Sequence, residues 1–368
     1  MRPERYVGLM SGTSLDGVDA VLAEFSDEAC HVIGAVARRF PPALRAELLA
    51  LQSPGDNELA RAARAANALA DVYAESILEL LASTSTPAAD VAAAGVHGQT
   101  LRHRPEEGWT LQLNNPARVA ERTGVTVAAD FRSRDVAAGG QGAPLVPAFH
   151  AARFRQRDTH RAVVNIGGIA NVTDLPPALS EAPVRGFDTG PGNVFLDLWC
   201  AAHRGEPFDR EGAWARSGKV DDALLAAMLA DVYFAAHPPK STGRDRFNQG
   251  WLDAQLAARK VLPVDVQATL LALTARTIAG AIGTYCPGVT EVLLCGGGAN
   301  NAALRDALGA ELAHRPVTTT ATYGVAVEHV EALAFAWLAR EVLAGRPGNL
   351  PAVTGASGLR VLGAVYPR

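Results

Sequence analysis

Twice in this chain, two apolar runs of strand length flank a short turn of small polar residues, and that repetition narrows the fold more than any other feature. The first unit runs Tyr6–Leu9, through Met10-Ser11-Gly12-Thr13-Ser14-Leu15-Asp16-Gly17-Val18-Asp19, into Val18–Phe25. The second runs Ala162–Ile166, through Gly167-Gly168-Ile169-Ala170-Asn171, into Val172–Leu175. Glycine lets a backbone approach a ligand, hydroxyls and free N–H groups surround an anion, and a carboxylate can hold a cation that touches it. Either turn alone is equally well an ordinary Gly/Ser/Asp turn. Two of them, each opening a half of the chain, point to phosphate gripped from both sides in a cleft between two duplicated α/β halves.

After each hairpin, helices alternate with buried strands. Helical spacing of Leu59, Ala62, Ala66, Leu69, Tyr73, Ile77 and Leu80 predicts a helix over 57–81. Strands are expected at Val91–Val96, Trp109–Leu113, Val125–Ala129, Val184–Phe187 and Val292–Cys295, and a nearly all-apolar buried helix at Val327–Leu343. The glycine- and alanine-rich stretch Arg134–Pro147 is the expected junction. It divides the chain into 1–135, with 350–368 as a candidate completion of that domain, and 136–349. Two domains suit a length of 368 residues.

Composition excludes some partners. Net charge is −4 without a long basic run, which argues against nucleic acid. No signal-like segment opens the chain and no uninterrupted apolar run reaches ~18 residues, so a membrane is not expected. The four cysteines sit at no metal-ligand spacing and read as free thiols of a cytoplasmic protein.

Neither a Walker pattern nor a well-placed G-x-G-x-x-G occurs, so phosphate binding would come from hairpin backbones. A third cluster, Gly296-Gly297-Gly298, follows a strand and precedes a helix. It suits close approach of a nucleobase or ribose, or simply a strand-to-helix turn needing positive φ. Asp188 follows a strand and precedes Thr189-Gly190-Pro191-Gly192-Asn193, placing it as a base in a cleft or as a cap of the next helix. Glu331 shares an apolar helix face with Val327, Val330, Ala334, Trp337 and Leu338, so it must be paired or face a polar site. His97, Arg132 and Arg134 follow buried strands and could contact a ligand's hydroxyls and carboxylate, or bridge internally. Asp16, more than Asp19, is placed to hold Mg²⁺ through water. Lys240-Ser241-Thr242-Gly243-Arg244 is a polar loop that either lines the cleft or is merely solvated.

Taken together the motifs resemble the anhydro-N-acetylmuramic acid kinase family, within the sugar kinase–heat-shock 70–actin superfamily. The resemblance rests on Gly8–Asp19, Gly95–Thr100, Ala129–Arg132, Gly139–Pro147, Asn165–Asn171, Gly186–Asn193, Lys240–Arg244, Cys295–Asn301 and Val330–Trp337. These span nearly the whole chain in family order; Asp245 departs from a usual glutamate. The resemblance implies two duplicated actin-like (ribonuclease H-like) domains with an ATP and substrate cleft between them. It implies ATP binding by Gly12, Thr13, Ser14, Leu15, Asp16, Gly17, Val18, Asp19, Gly167, Gly168, Asn171, Gly296, Gly297, Gly298 and Asn300. His97, Gln99, Arg132, Gly190 and Asn193 would bind the sugar, and Asp188 and Glu331 would be catalytic.

The implied reaction opens 1,6-anhydro-N-acetylmuramic acid with water while O6 takes the γ-phosphoryl group of ATP, giving N-acetylmuramic acid 6-phosphate in cell-wall recycling. Glycoside hydrolysis ordinarily uses two carboxyls. When phosphorus captures the leaving oxygen the acid is dispensable, and one base aided by Mg²⁺ suffices. A plain amino-sugar kinase without hydrolysis, or an ATP-driven switch of the actin type, are the alternatives. A homodimer is a further expectation from the resemblance, and domain closure is expected because the cleft must exclude all but the reacting water.

Overall fold

The computed structural model describes residues 3–12, 15–26, 30–257, 259–312 and 314–368. Thr13 and Ser14, expected in the ATP site, and Ala313, the expected end of a helix, lie outside the described residues. The strands, in chain order, are β1 (Glu4–Met10), β2 (Gly17–Phe25), β3 (Cys30–Arg39), β4 (Val91–Val96), β5 (Gln99–Arg104), β6 (Trp109–Leu113) and β7 (Val127–Ala129). They continue with β8 (Arg161–Ile166), β9 (Ile169–Leu175), β10 (Arg185–Pro191), β11 (Glu291–Cys295), β12 (Val317–Thr319) and β13 (Ala364–Tyr366).

One sheet has the order β13-β7-β4-β1-β2-β3 and another the order β10-β9-β8-β11-β12. In the first, β1, β2 and β3 form an antiparallel meander, while β4 runs parallel to β1 and β7 parallel to β4. The second repeats this: β8, β9 and β10 meander, β11 runs parallel to β8 and β12 parallel to β11. The same 3-2-1-4-5 order therefore occurs twice, in keeping with the duplicated halves expected from the paired hairpins. The central strand of each sheet is packed on both faces, which explains why β8 and β11 read as almost unbroken apolar runs.

The chain forms two compact units, Met1–Phe149 with His329–Arg368, and His150–Glu328. This corrects the expected division at 135/136 and 349/350. Two physical causes account for the difference. First, the helix Val330–Leu343 lies directly on β1 and β4. A Cβ built on Gly8 would sit 1.9 Å from the Ala332 carbonyl oxygen, and one on Gly95 1.9 Å from that of Phe335. Only glycine allows this approach, so the helix belongs to the first unit. Second, the expected linker is structured. It contains the helix Ser133–Ala137, and the fully buried Asp135 accepts from Gly142 N–H at 2.8 Å, Asn349 Nδ2 at 2.7 Å and Thr354 Oγ1 at 2.8 Å. Those bonds stitch the segment to the C-terminal tail.

Three local boundaries also differ. β10 does not stop at Phe187 but runs through Asp188 to Pro191, with an irregularity between Asp188 and Gly190. The late helix starts at Val330, so Val327 is not on its face. A helix at Gln249–Leu256 had no strong signal in the sequence. In the second unit the helix Pro263–Tyr285 is long and apolar enough to cross a membrane, yet 78% of its most apolar window is buried among its neighbours. Cys200, Cys286 and Cys295 are buried and Cys30 is half-buried.

Candidate active site

In the first unit, His97 directly follows β4 and Arg132 lies three residues beyond β7. Arg132 donates to His97 Nε2 from Nη2 at 2.9 Å and from Nε at 3.2 Å, and its Nη1 donates to the Gly142 carbonyl at 2.7 Å. His97 Nδ1 lies 3.2 Å from the Ser11 carbonyl. An imidazole that accepts at Nε2 must donate at Nδ1, so this histidine is held neutral in one tautomer. Burial and then the adjacent guanidinium push its pKa down to about 3. Burial also lowers Arg132 to about 10, partly opposed by Glu331 and Asp135, so it stays charged. The ring of Phe335 stacks at a tilt 4.8 Å from His97. Glu331, in the first turn of that helix, is half-buried where the helix dipole favours a carboxylate.

Gln99 and Ser11 brace the first turn from below. Gln99 is buried and its Nε2 donates to the Gly12 carbonyl at 3.1 Å; the Ser11 hydroxyl pairs with that of Tyr73 at 2.7 Å. In the turn itself Leu15 takes a positive φ of 57° with its side chain buried, and Arg45 Nε donates to its carbonyl at 3.1 Å. Asp16 is exposed, 4.0 Å from Arg45 Nη2. Asp19 lies within β2, opposite Met10.

In the second unit Asp188 is half-buried within β10, paired across the sheet with Asn171. Its Oδ2 accepts the Thr242 N–H at 2.9 Å, and no other donor among the described residues reaches that carboxylate. Burial raises its pKa to about 6, against the pull of the Thr242 hydrogen bond. A carboxylate poised near neutrality is suited to accept a proton. The polar loop 240–244 is thus bonded to Asp188 through Lys240 and Thr242, while Ser241 and Arg244 are exposed. Arg244 extends toward the second turn, its Nη2 3.7 Å from where a Gly168 Cβ would be.

The 167–168 turn is fastened to the start of the next helix. Gly192 N–H donates to the Gly168 carbonyl at 2.9 Å and Asn193 N–H to that of Gly167 at 2.8 Å. Asn193 then borders a cavity of about 440 Å³ lined also by Phe208, Arg210, Glu211, Gly297, Gly298 and Asn300. Asn193, expected near sugar, accordingly stands beside the glycines expected near nucleotide. Gly190 instead lies under the Phe234 ring. Phe208, Arg210 and Glu211 were not foreseen. They sit in a segment with no glycine cluster or strand end to mark it, although an exposed Phe208 is itself a signal once the structure is known.

The doubled strand order, with a tight polar turn opening each half, defines an actin-like fold, the class on which many sugar kinases are built. A family model described as anhydro-N-acetylmuramic acid kinase matches residues 4–368, and the chain belongs to that family. It is therefore a kinase. A relative so named from Ralstonia nicotianae is 55% identical, covering 99% of this chain and 97% of its own. One from Cupriavidus pinatubonensis is 55% identical over 99% of both, and one from Thiobacillus denitrificans 52% identical over 99% and 97%. Among solved structures, the ROK family glucokinase of Streptomyces griseus in complex with glucose and AMPPNP is 14% identical with a TM-score of 0.43, covering 92% of this chain and 99% of that one. At that distance it adds nothing to the strand order.

Proposed function

We propose that the chain uses ATP to open 1,6-anhydro-N-acetylmuramic acid hydrolytically and phosphorylate O6, yielding N-acetylmuramic acid 6-phosphate for cell-wall recycling. The observation that carries this reading is Asp188: one carboxylate, its pKa raised to about 6, with a single backbone N–H on one oxygen. The names of the relatives supply the substrate.

In this reading a water attacks C1 and gives its proton to Asp188. The C1–O6 bond breaks, O6 bonds to the γ-phosphorus, and ADP leaves. No acid is needed at O6, because phosphorus takes the electron pair that a proton would otherwise take. His97 and Arg132 would hold the sugar. Three of Arg132's five N–H donors are engaged, so two remain for a hydroxyl or the lactyl carboxylate. Glu331 would orient a sugar hydroxyl next to them. The 440 Å³ cavity would take the adenosine, with Phe208 against the base and Asn193, Gly297, Gly298 and Asn300 near the ribose.

Mg²⁺ prefers hard oxygens, keeps several waters, and binds through one or two carboxylates together with phosphates. The exposed Asp16 carboxylate fits such a cation, and among the described residues no group of three or more His, Cys, Asp or Glu offers a closed cage instead. Bound there, the cation would neutralise phosphate charge. The deciding experiment supplies ATP, Mg²⁺ and the anhydro sugar in ¹⁸O-water. Label at C1 of a 6-phosphorylated product is expected; unlabelled product would leave a plain kinase.

A further inference from the structure

The segment 231–242 is tied to Asp188 at three points, only one of which involves the carboxylate. The buried Tyr233 donates its hydroxyl to the Asp188 carbonyl at 2.8 Å, and Asp188 N–H donates to the Lys240 carbonyl at 3.1 Å. Thr242 N–H then holds Oδ2. Asp188 sits where the β10 ladder is irregular, so the pairing with β9 that would otherwise fix its backbone is interrupted just beyond it. β10 is the edge strand of its sheet, and the Lys240 carbonyl and the Tyr233 hydroxyl satisfy the N–H and C=O that Asp188 presents on that open side.

Tyr233 is itself anchored from two sides. Its N–H donates to Asp231 Oδ1 at 2.9 Å, and Asp231 also accepts from Trp251 Nε1 at 2.8 Å and from Arg246 at 2.5 Å. Lys240 Nζ lies 4.8 Å from the Tyr233 ring centroid and donates to the Tyr233 and Phe234 carbonyls at 3.2 and 3.4 Å. The lysine therefore closes the loop onto the tyrosine rather than reaching for a phosphate. From this closed circuit we infer that Tyr233, latched by Lys240, is a positioning residue that sets the direction of the Asp188 carboxylate without touching substrate. The inference rests on Asp188 being the base.

Tyr233→Phe removes one hydroxyl and keeps the ring that packs 5.5 Å from Phe247, so folding is expected to survive. A base displaced by a fraction of an ångström loses roughly 10- to 100-fold in turnover. The expected result is that loss in kcat, with KM for ATP and for the anhydro sugar within about twofold of the parent. A double-mutant cycle separates positioning from general loosening. If Tyr233 acts through Asp188, then adding Tyr233→Phe to Asp188→Asn costs nothing further, whereas an independent structural effect multiplies the two losses. Lys240→Met should reproduce the kcat loss and likewise vanish in the Asp188→Asn background. An Asp188→Asn enzyme with near-normal turnover overturns the base assignment itself. An Asp188→Asn enzyme slowed by ~10²–10⁴ beside a fully active or multiplicative Tyr233→Phe enzyme overturns only the latch.

Discussion

Arg132 and His97 are joined by two hydrogen bonds to a single ring nitrogen, which fixes the histidine as a neutral acceptor beside a permanent cation. Protonating that ring would set two positive charges in contact within a buried site. The folded protein therefore resists a proton that the unfolded chain accepts near pH 6.5. Stability from this pair is complete above 6.5 and is lost progressively as pH falls toward about 3, by about 1.4 kcal/mol per pH unit through the window. Urea midpoints measured from about pH 7.5 to about 4.5 should fall accordingly. His97→Gln keeps a donor and an acceptor but cannot titrate, and should show a shallower fall; an identical slope would dissociate His97 from the effect.

Replacing Arg132 by Lys keeps the charge but cannot reach His97 and Gly142 together in a planar fork. The expected outcome is a rise of at least tenfold in the sugar KM with the ATP KM unchanged, measured by steady-state kinetics. A change confined to ATP would remove Arg132 from the sugar site.

Asp188 should impose an acid limb on kcat/KM with a midpoint near 6, activity falling as pH drops below it because the base becomes protonated. Asp188→Asn should lower kcat by ~10²–10⁴ while a nonhydrolysable ATP analogue still binds by calorimetry. A limb that persists unchanged in the residual turnover of the Asp188→Asn enzyme would belong to another group.

How much of this was legible from residues alone depended on the range of the interaction. The duplication of the two halves could be anticipated because a hairpin is local and each of the two announces itself by apolar runs around a polar turn, whereas the full strand order depends on pairings distant in the chain. Gly8 and Gly95 carry no local sign of their role, because their positions are dictated by a helix more than 200 residues later in the chain pressing on both. Asp188 was singled out by its flanking glycines, but its bonds to Tyr233 and the Thr242 N–H were not foreseen, since no short motif records a tyrosine hydroxyl bonding to a distant carbonyl. The domain boundary was misplaced for the same reason: Gly/Ala-rich composition suggests a linker, and only the buried Asp135 bonds to Asn349 and Thr354 reveal a stitched segment.

That long-range packing gives a stability prediction. Gly95→Ala would place a methyl 1.9 Å from the Phe335 carbonyl oxygen, with backbone rather than a flexible side-chain tip in the way. The helix Val330–Leu343 must then lift from β4, which carries the displacement to Phe335 and the adjoining His97 ring. A loss of about 3 kcal/mol or more is expected, at the upper end for overpacking. Chemical denaturation should show it, and a variant within about 0.5 kcal/mol of the parent would mean that the helix does not rest on that strand.

The cavity proposed to take the adenosine offers a test that leaves the residues proposed to hold the sugar alone. A Cβ on Gly298 would meet Ile166 Cγ2 at 2.3 Å and Asn193 Oδ1 at 2.8 Å. Ile166 is fully buried at the end of β8 and cannot retreat, so the strain must push Asn193 or the 296–300 turn into the 440 Å³ space. Gly298→Ala should therefore raise the ATP KM by an order of magnitude or more, and weaken binding of a nonhydrolysable ATP analogue in proportion. Sugar binding measured without nucleotide should be unchanged, because the residues proposed to hold it are in the other compact unit. Equal weakening of both ligands would point instead to a general loss of folding, and unaltered ATP affinity would place the adenosine outside this cavity.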